Sequence, residues 1–222
     1  MWRTAAAMAG QAREVLPAAG TRVAVVGCGT SWFMAQSVAA RREAGGLGET
    51  DAFTPSEMPP GRRYDAVVVI SRSGTTTEIV RALRAVPPGT PTVAVSAVSG
   101  SPVVAAAGRA ILLESADEAS VVQTRFATTA LALFRACFGD DLGPGIADAE
   151  RALAEPLPFD PTAFEHFVFL GHDWTVGLAN EAALKLREAC QLGAVLCCEQ
   201  VESDARRVVD EEVLRLQLRV CR

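Results

Sequence analysis

The first two-thirds of the chain alternate short apolar runs with segments whose apolar residues recur at helical spacing. The runs are rich in valine and isoleucine and hold few polar residues, which is typical of strands buried on both faces of a parallel sheet. The pattern therefore predicts an α/β fold with helices on both faces of the sheet. The predicted strands are residues 22–26, 51–53, 65–70, 92–96 and 110–113, and the predicted helices are 32–42, 79–86, a short one opening at Pro102, and 121–138, after an alanine-rich amphipathic N-terminal helix.

A second strand-glycine-helix pattern begins after residues 140–160, which hold glycines and prolines around a short helical pattern at 146–154. Its strand, 167–171, and its helix, 176–189, repeat the order found at 23–37, which indicates a weak internal repeat. We predict that this second copy stops there, because the segment from residue 195 is rich in Glu, Asp and Arg and holds no buried-strand run. The predicted organisation is an N-terminal helix at 1–21, a first domain at 22–139, a linker at 140–160, a partial second domain at 161–194, and an atypical tail at 195–222 that forms a charged helix at 204–218 or is loosely ordered.

The most informative stretch is the turn between the predicted strand 65–70 and the helix that follows it. Five hydroxyl side chains and Gly74 lie within seven residues here. Unpaired amide groups at a helix N-terminus favour an anion, hydroxyls add further donors, and glycine lets a ligand approach the backbone. The turn has no lysine and is therefore not a Walker loop. It favours a small phosphorylated ligand; the alternative is an ordinary helix N-cap made by Ser73 or Thr75.

The turn after the first strand, Gly-Cys-Gly-Thr-Ser at 27–31, could suggest a dinucleotide-binding fingerprint. That fingerprint fails because Trp32 occupies the place of its third glycine. We expect a sugar or phosphate contact at the carboxyl edge of the sheet instead, and a tight turn without a ligand is the alternative.

Three charged residues lie on one face of the helix predicted at 176–189. Glu181, Lys185 and Glu188 follow at helical spacing, and the first two can form a favourable surface pair. Spacing alone therefore predicts a solvated helix face. His172, in the turn before this helix, is predicted to be exposed and inert.

Composition narrows the functional classes. The formal net charge is -5 and no Lys/Arg run occurs, which argues against a nucleic-acid partner. No apolar run is long enough to span a bilayer, and the N-terminus lacks the apolar core of a signal peptide. The six cysteines are not spaced as zinc ligands and only two histidines are present, so we expect reduced thiols, no metal and a cytoplasmic location.

Taken together, these segments resemble the SIS (sugar isomerase) domain family, in particular double-SIS proteins similar to the isomerase half of glucosamine-6-phosphate synthase and to the AgaS-like sugar isomerases/deaminases. Four motifs carry the resemblance in order along the chain, over about residues 22–194. They are V-A-V-V-G-C-G-T-S at 23–31, S-R-S-G-T-T-T-E at 71–78, A-D-E-A-S-V-V-Q-T-R-F-A-T-T at 116–129, and F-L-G with N-E-A-A-L-K-L-R-E at 169–188.

The resemblance implies a five-stranded flavodoxin-like parallel sheet, plus the start of a second SIS unit, with a phosphorylated sugar or aminosugar at its carboxyl edge. In the relatives a carboxylate moves a proton between C1 and C2, and Glu188 matches it; Lys185 matches a lysine that assists near the reacting oxygens or amine. The resemblance implies that no cofactor is needed and that two chains form a homodimer. The residues implied in binding are Ser71, Arg72, Ser73, Gly74 and Thr76 for the phosphate turn, Gly29, Thr30 and Ser31 beside it, and Val121, whose backbone approaches the sugar.

After Ala194 the chain departs from the family pattern and lacks the histidine that helps to open the sugar ring. Two functions therefore follow from the resemblance. The first is a sugar-phosphate aldose–ketose isomerase or aminosugar-phosphate deaminase. The second is a non-catalytic phosphosugar-binding protein or sensor.

Overall fold

The computed structural model describes residues 1–120, 122–164, 166–190 and 193–197. Its main feature is a parallel sheet of five strands in the order β2-β1-β3-β4-β5, which is the flavodoxin-like order. This confirms the predicted fold. The strands are β1 (Val23–Gly27), β2 (Thr50–Phe53), β3 (Ala66–Ile70), β4 (Thr92–Ser96) and β5 (Arg109–Leu112).

Helices cover both faces of this sheet. The central strands β1 and β3 are buried along their whole length, as their uninterrupted apolar sequences predict. One face packs against α1, α2 and α5 and the other against α3 and α4, giving two apolar cores. The helices are α1 (Trp2–Val15), α2 (Thr30–Ala44), α3 (Thr77–Ala85), α4 (Pro102–Ala106), α5 (Arg125–Cys137), α6 (Gly143–Ala154) and α7 (Thr175–Cys190), with single 3₁₀ turns at Pro55–Glu57, Glu114–Ala116 and Pro161–Ala163.

Helix α5 begins at Arg125, four residues later than predicted. The cause is Glu118, whose buried carboxylate accepts hydrogen bonds from the backbone amides of Thr124, Arg125 and Phe126, and from the Thr124 hydroxyl. A carboxylate held at this point satisfies the free amides of the first helical turn and stabilises a start there. Val121 lies outside the described residues.

The second unit contains more than the predicted strand and helix. β6 (His166–Leu170) pairs in parallel with β7 (Gly193–Cys197), and α7 connects them as a crossover helix. The prediction that the tail from residue 195 holds no strand is therefore wrong for its first three residues. The predicted helix at 204–218 lies outside the described residues.

The internal repeat is visible in the backbone itself. Gly27 ends β1 and Gly171 follows β6, and a side chain on either would overlap the backbone four residues later, within 2.4 Å of Ser31 and 2.6 Å of Thr175. Only glycine lets a helix start this close to the end of a strand. The first and second units thus share the same strand-to-helix turn.

Candidate active site

Two candidate turns lie side by side at the carboxyl edge of the sheet. Gly27, the last residue of β1, pairs with Ile70, the last residue of β3, so the turns that follow them start at the same level. The strand order reverses between β1 and β3, because β2 lies on one side of β1 and β3 on the other. This is the point at which open α/β sheets bind ligands.

The turn after β3 contains the predicted phosphate-binding hydroxyls. Thr76 is the N-cap of α3, but neither it nor any other side chain caps the helix. Ser73 instead accepts a hydrogen bond from the Thr75 amide within the turn, at 3.3 Å, and contacts the Thr75 hydroxyl at 2.9 Å. The buried Ser71 hydroxyl lies 3.4 Å from that of Thr76. The alternative of an ordinary side-chain cap is therefore wrong, and the first amides of α3 are left for another acceptor.

Two glycines shape the edge of the site. Gly74 has a φ of +63°, and a Cβ on it would lie 1.9 Å from the Ser101 hydroxyl oxygen. Gly29, the N-cap of α2, has a φ of +54°, yet a Cβ there would meet open space. The Ser101 side chain thus packs directly against Gly74, whereas Gly29 borders open space that a ligand could occupy.

The Arg72 side chain makes its contacts outside its own turn. Its guanidinium donates to the Glu118 carbonyl and lies 3.4 Å from the Asp117 carboxylate. Arg72 therefore fastens the segment before α5 to the turn after β3. This contact brings the third motif of the sequence, which begins at Ala116, to the edge of the site.

Lys185 is the only lysine in the sequence, and it is buried. Its ammonium group donates to the Thr30 hydroxyl at 3.0 Å and lies 2.6 Å from Glu188 and 3.3 Å from Glu181. A buried ammonium requires such partners, since the effective cost of desolvating an unpaired charge in a protein is on the order of several kcal/mol. The solvated face predicted from spacing is therefore wrong for Glu181 and Lys185. The Glu188 side chain remains 38% exposed.

Glu181 is a member of this cluster that spacing placed on the surface. Burial raises its pKa to about 7, although Lys185 and a hydrogen bond with Thr30 both lower it. One of its carboxylate oxygens, Oε2, is buried without a partner. The apolar residues around Glu181 in the sequence could have indicated its burial. Ala182, Ala183 and Leu186 are also buried and leave little of the helix exposed to solvent.

Close packing of α7 on α2 brings Lys185 to Thr30. At Gly177 a Cβ would lie 2.3 Å from the Phe33 carbonyl oxygen and 2.2 Å from the Ser37 hydroxyl. The Asn180 amide donates to Gln36 at 3.2 Å farther along the same contact. The second unit thus supplies a cation and two carboxylates to the turn of the first unit.

The other residues singled out in the sequence lie at the edge of this arrangement or away from it. Cys28, in the turn after β1, has a pKa raised by burial and then by Glu78. His172 is half-buried, 2.7 Å from Asp173, in the turn before α7 and thus at the opposite end of that helix from Lys185. Among the described residues, no group of three or more His, Cys, Asp or Glu side chains is arranged to hold a metal ion. No described helix is both long and apolar enough to cross a membrane.

Solved structures with the same fold support the resemblance seen in the sequence. A candidate phosphosugar isomerase from Silicibacter pomeroyi matches 95% of this chain and 69% of its own, with a TM-score of 0.71 and 24% identity. The C-terminal domain of glucosamine-fructose-6-phosphate aminotransferase from Francisella tularensis matches 85% of this chain and 61% of its own, with a TM-score of 0.65 and 22% identity. Glucosamine-6-phosphate deaminase from Thermotoga maritima matches 80% of this chain and 60% of its own, with a TM-score of 0.64 and 20% identity.

The chain therefore spans between 60% and 69% of the length of these three proteins. No protein-family model matches it, and no curated protein is similar to it in sequence. The comparisons thus show a shared fold.

Proposed function

We propose that the protein binds a phosphorylated sugar or aminosugar between the turns after β1 and β3, and acts as an aldose–ketose isomerase or aminosugar-phosphate deaminase. The observation that carries the proposal is the position of Lys185, which is buried between Thr30 and Glu188 at the switch point of the sheet. The three structural neighbours named above are described as acting on sugar phosphates, which supports that ligand class.

In this proposal the phosphate lies at the N-terminus of α3. The uncapped amides of the helix and the hydroxyls of Ser71, Ser73 and Thr76 donate to its oxygens. The turn at Gly29, Thr30 and Ser31 borders the sugar. The role that the resemblance gives to Val121 stays a prediction, because that residue lies outside the described residues. The donors on the turn itself are neutral, which suits a ligand that carries its own charge and must be released.

Glu188 is the proposed base. Isomerisation needs one group that removes a proton from the carbon next to a carbonyl and returns it to the neighbouring carbon. A carboxylate that is partly exposed can reach the ligand, while its ion pair with Lys185 fixes its position. The Lys185 ammonium is placed to stabilise negative charge that develops on the enediol oxygen. With an amino group at C2, the same proton transfer would leave an imine at C2, and water would hydrolyse it to a ketone and release ammonia from C2.

Binding without turnover is the second candidate. The two histidines of the sequence are His166, at the start of β6, and His172, at the far end of α7 from Lys185. Neither position is beside the proposed site of the same chain, so the ring-opening histidine implied by the resemblance has no counterpart among the described residues. Ring opening by a histidine of the described residues is therefore not part of the proposal, and the turnover assay below decides between the two candidates.

Thermal unfolding with a panel of hexose and aminohexose phosphates tests the binding. We expect stabilisation by at least one sugar phosphate, and loss of that effect in the double variant Ser73→Ala/Thr76→Ala. If a cooperatively folded sample is stabilised by none of them, the proposal is wrong.

Turnover of the best ligand separates the two candidates. Turnover that disappears in Glu188→Gln, with binding retained, would support the enzyme; absence of turnover in both proteins would support binding alone. The homodimer stays a prediction, which light scattering can test.

A further inference from the structure

The loop after β4 holds the proposed phosphate turn through the carbonyl of Arg72. The Ala97 amide donates to that carbonyl oxygen at 3.0 Å, and the Ser96 hydroxyl donates to it at 3.1 Å. Ser96 is fully buried, and its hydroxyl oxygen accepts the Val98 amide at 3.2 Å. The Arg72 carbonyl therefore has two donors, both from the β4 side.

The geometry of the peptide unit between Arg72 and Ser73 determines the direction in which the Ser73 amide points. In a planar trans peptide the carbonyl and the following amide point in opposite directions, and the described residues contain no cis peptide. The Arg72 carbonyl points towards β4, so the Ser73 amide points the other way. Because β3 lies between β4 and β1, that direction is towards the turn that holds Thr30. No hydrogen bond from the Ser73 amide is found within the described part of the chain.

A second contact holds the next peptide unit. The amide of Val103, in α4, donates to the Gly74 carbonyl at 2.8 Å. The turn is thus fastened at two alternate carbonyls by the segment from β4 to α4. These hydrogen bonds hold the backbone of the turn from within the fold, which lowers the entropy that binding would have to overcome.

We propose that Ser96 is a positioning residue that aims the Ser73 amide at the phosphate group of the ligand. Its hydroxyl fixes the plane of the 72–73 peptide, and the second hydrogen bond on the Arg72 carbonyl polarises that peptide and makes the Ser73 amide a stronger donor. The inference rests on the proposed function, since it names how the phosphate of that site is held. Ser96 itself does not touch the ligand.

Titration of the ¹⁵N-labelled protein with inorganic phosphate, followed by amide NMR, tests this role. We expect the Ser73 amide proton to move downfield with phosphate in the wild type. In Ser96→Ala that movement shrinks, and phosphate binds about fivefold to tenfold more weakly, as expected for loss of one hydrogen bond. Ser101→Ala is the matched control: this serine is buried in the same loop, but its hydroxyl has no hydrogen-bond partner. We expect it to bind phosphate like the wild type.

The inference fails if Ser96→Ala lowers the melting temperature but leaves the phosphate affinity and the Ser73 shift unchanged, because the role would then be structural only. It also fails if phosphate moves other amides of the turn but not that of Ser73 in the wild type, a test that does not require the variant to fold. A Ser73 shift with phosphate, together with no binding of any hexose or aminohexose phosphate of the panel, would retain the inference and contradict the proposed function.

Discussion

At the scale of single residues, Gly74 is a position where conformation and packing both exclude a side chain. Its φ of +63° is in the left-handed region, and the Ser101 side chain fills the space a Cβ would need. Gly74→Ala should lower the free energy of unfolding by about 2 to 4 kcal/mol, from backbone strain and overpacking together. Urea denaturation followed by circular dichroism measures the loss.

Gly100→Ala separates the two causes. Gly100 has nearly the same φ, +68°, but nothing lies within 4 Å of a Cβ built there. In Gly100→Ala, only the backbone strain should lower the free energy of unfolding, by about 1 kcal/mol. Equal losses at the two sites would mean that Ser101 moves aside and that the turn after β3 is less tightly packed than described.

The sequence predicted the residue types of the site better than their surroundings. The hydroxyl-rich turn was identified because five hydroxyls exceed what a cap requires. In contrast, Glu181 and Lys185 were assigned to a solvated face, since spacing shows only which residues share a face and not what covers it. The Arg72 side chain reaches Asp117 and Glu118, which lie 45 and 46 positions later, and no local pattern indicates such a contact.

At the scale of elements, the contact of α7 with α2 depends on Gly177. A methyl group there would overlap the Phe33 carbonyl and Ser37, so Gly177→Ala should push the helices apart and lower the free energy of unfolding by about 1 to 3 kcal/mol. Because Lys185 reaches Thr30 through this packing, ligand binding should weaken as well. Urea denaturation and the thermal-shift assay with the best sugar phosphate measure both effects.

Gly10→Ala is the control for this change. Gly10 lies inside α1, is exposed, and has no atom within 4 Å of a Cβ. Removing glycine from a helix interior there should stabilise the protein by about 0.5 to 1 kcal/mol. Stabilisation at both positions would contradict the close approach of the two helices.

Element boundaries were predictable where local sequence determines them. The central strands are continuous Val and Ile runs, and they were found within one or two residues. The start of α5 was missed because the carboxylate of Glu118, six residues before the N-cap Thr124, determines it by accepting the first amides of the helix. β7 was missed because its sequence, Gly-Ala-Val-Leu-Cys, is short and has little intrinsic preference for a strand. Its pairing with β6 is a tertiary contact that the local sequence does not show.

At the scale of the whole molecule, the site joins residues that lie far apart in the sequence. Thr30 and Lys185 are 155 positions apart, and no periodicity or spacing rule connects them. The resemblance to a known family supplied that connection, and the packing of the second unit on the first explains it. The two units should therefore respond together to changes in the protonation of the cluster between them.

Glu181 makes this coupling measurable as a dependence of stability on pH. Burial raises its pKa in the folded protein from 4.5 to about 7, so between these values the folded state holds a proton that the unfolded chain releases. Stability from this group is fully present below about pH 4.5 and is lost as the pH rises through about 7. Glu181→Gln removes the titration and keeps the shape, so the variant should gain stability relative to the wild type between about pH 5 and about pH 8. Urea denaturation of both proteins across this range measures the difference, in which other titrating groups cancel. A difference that is constant with pH, or that favours the wild type as the pH rises, would contradict the burial of this carboxylate against α2.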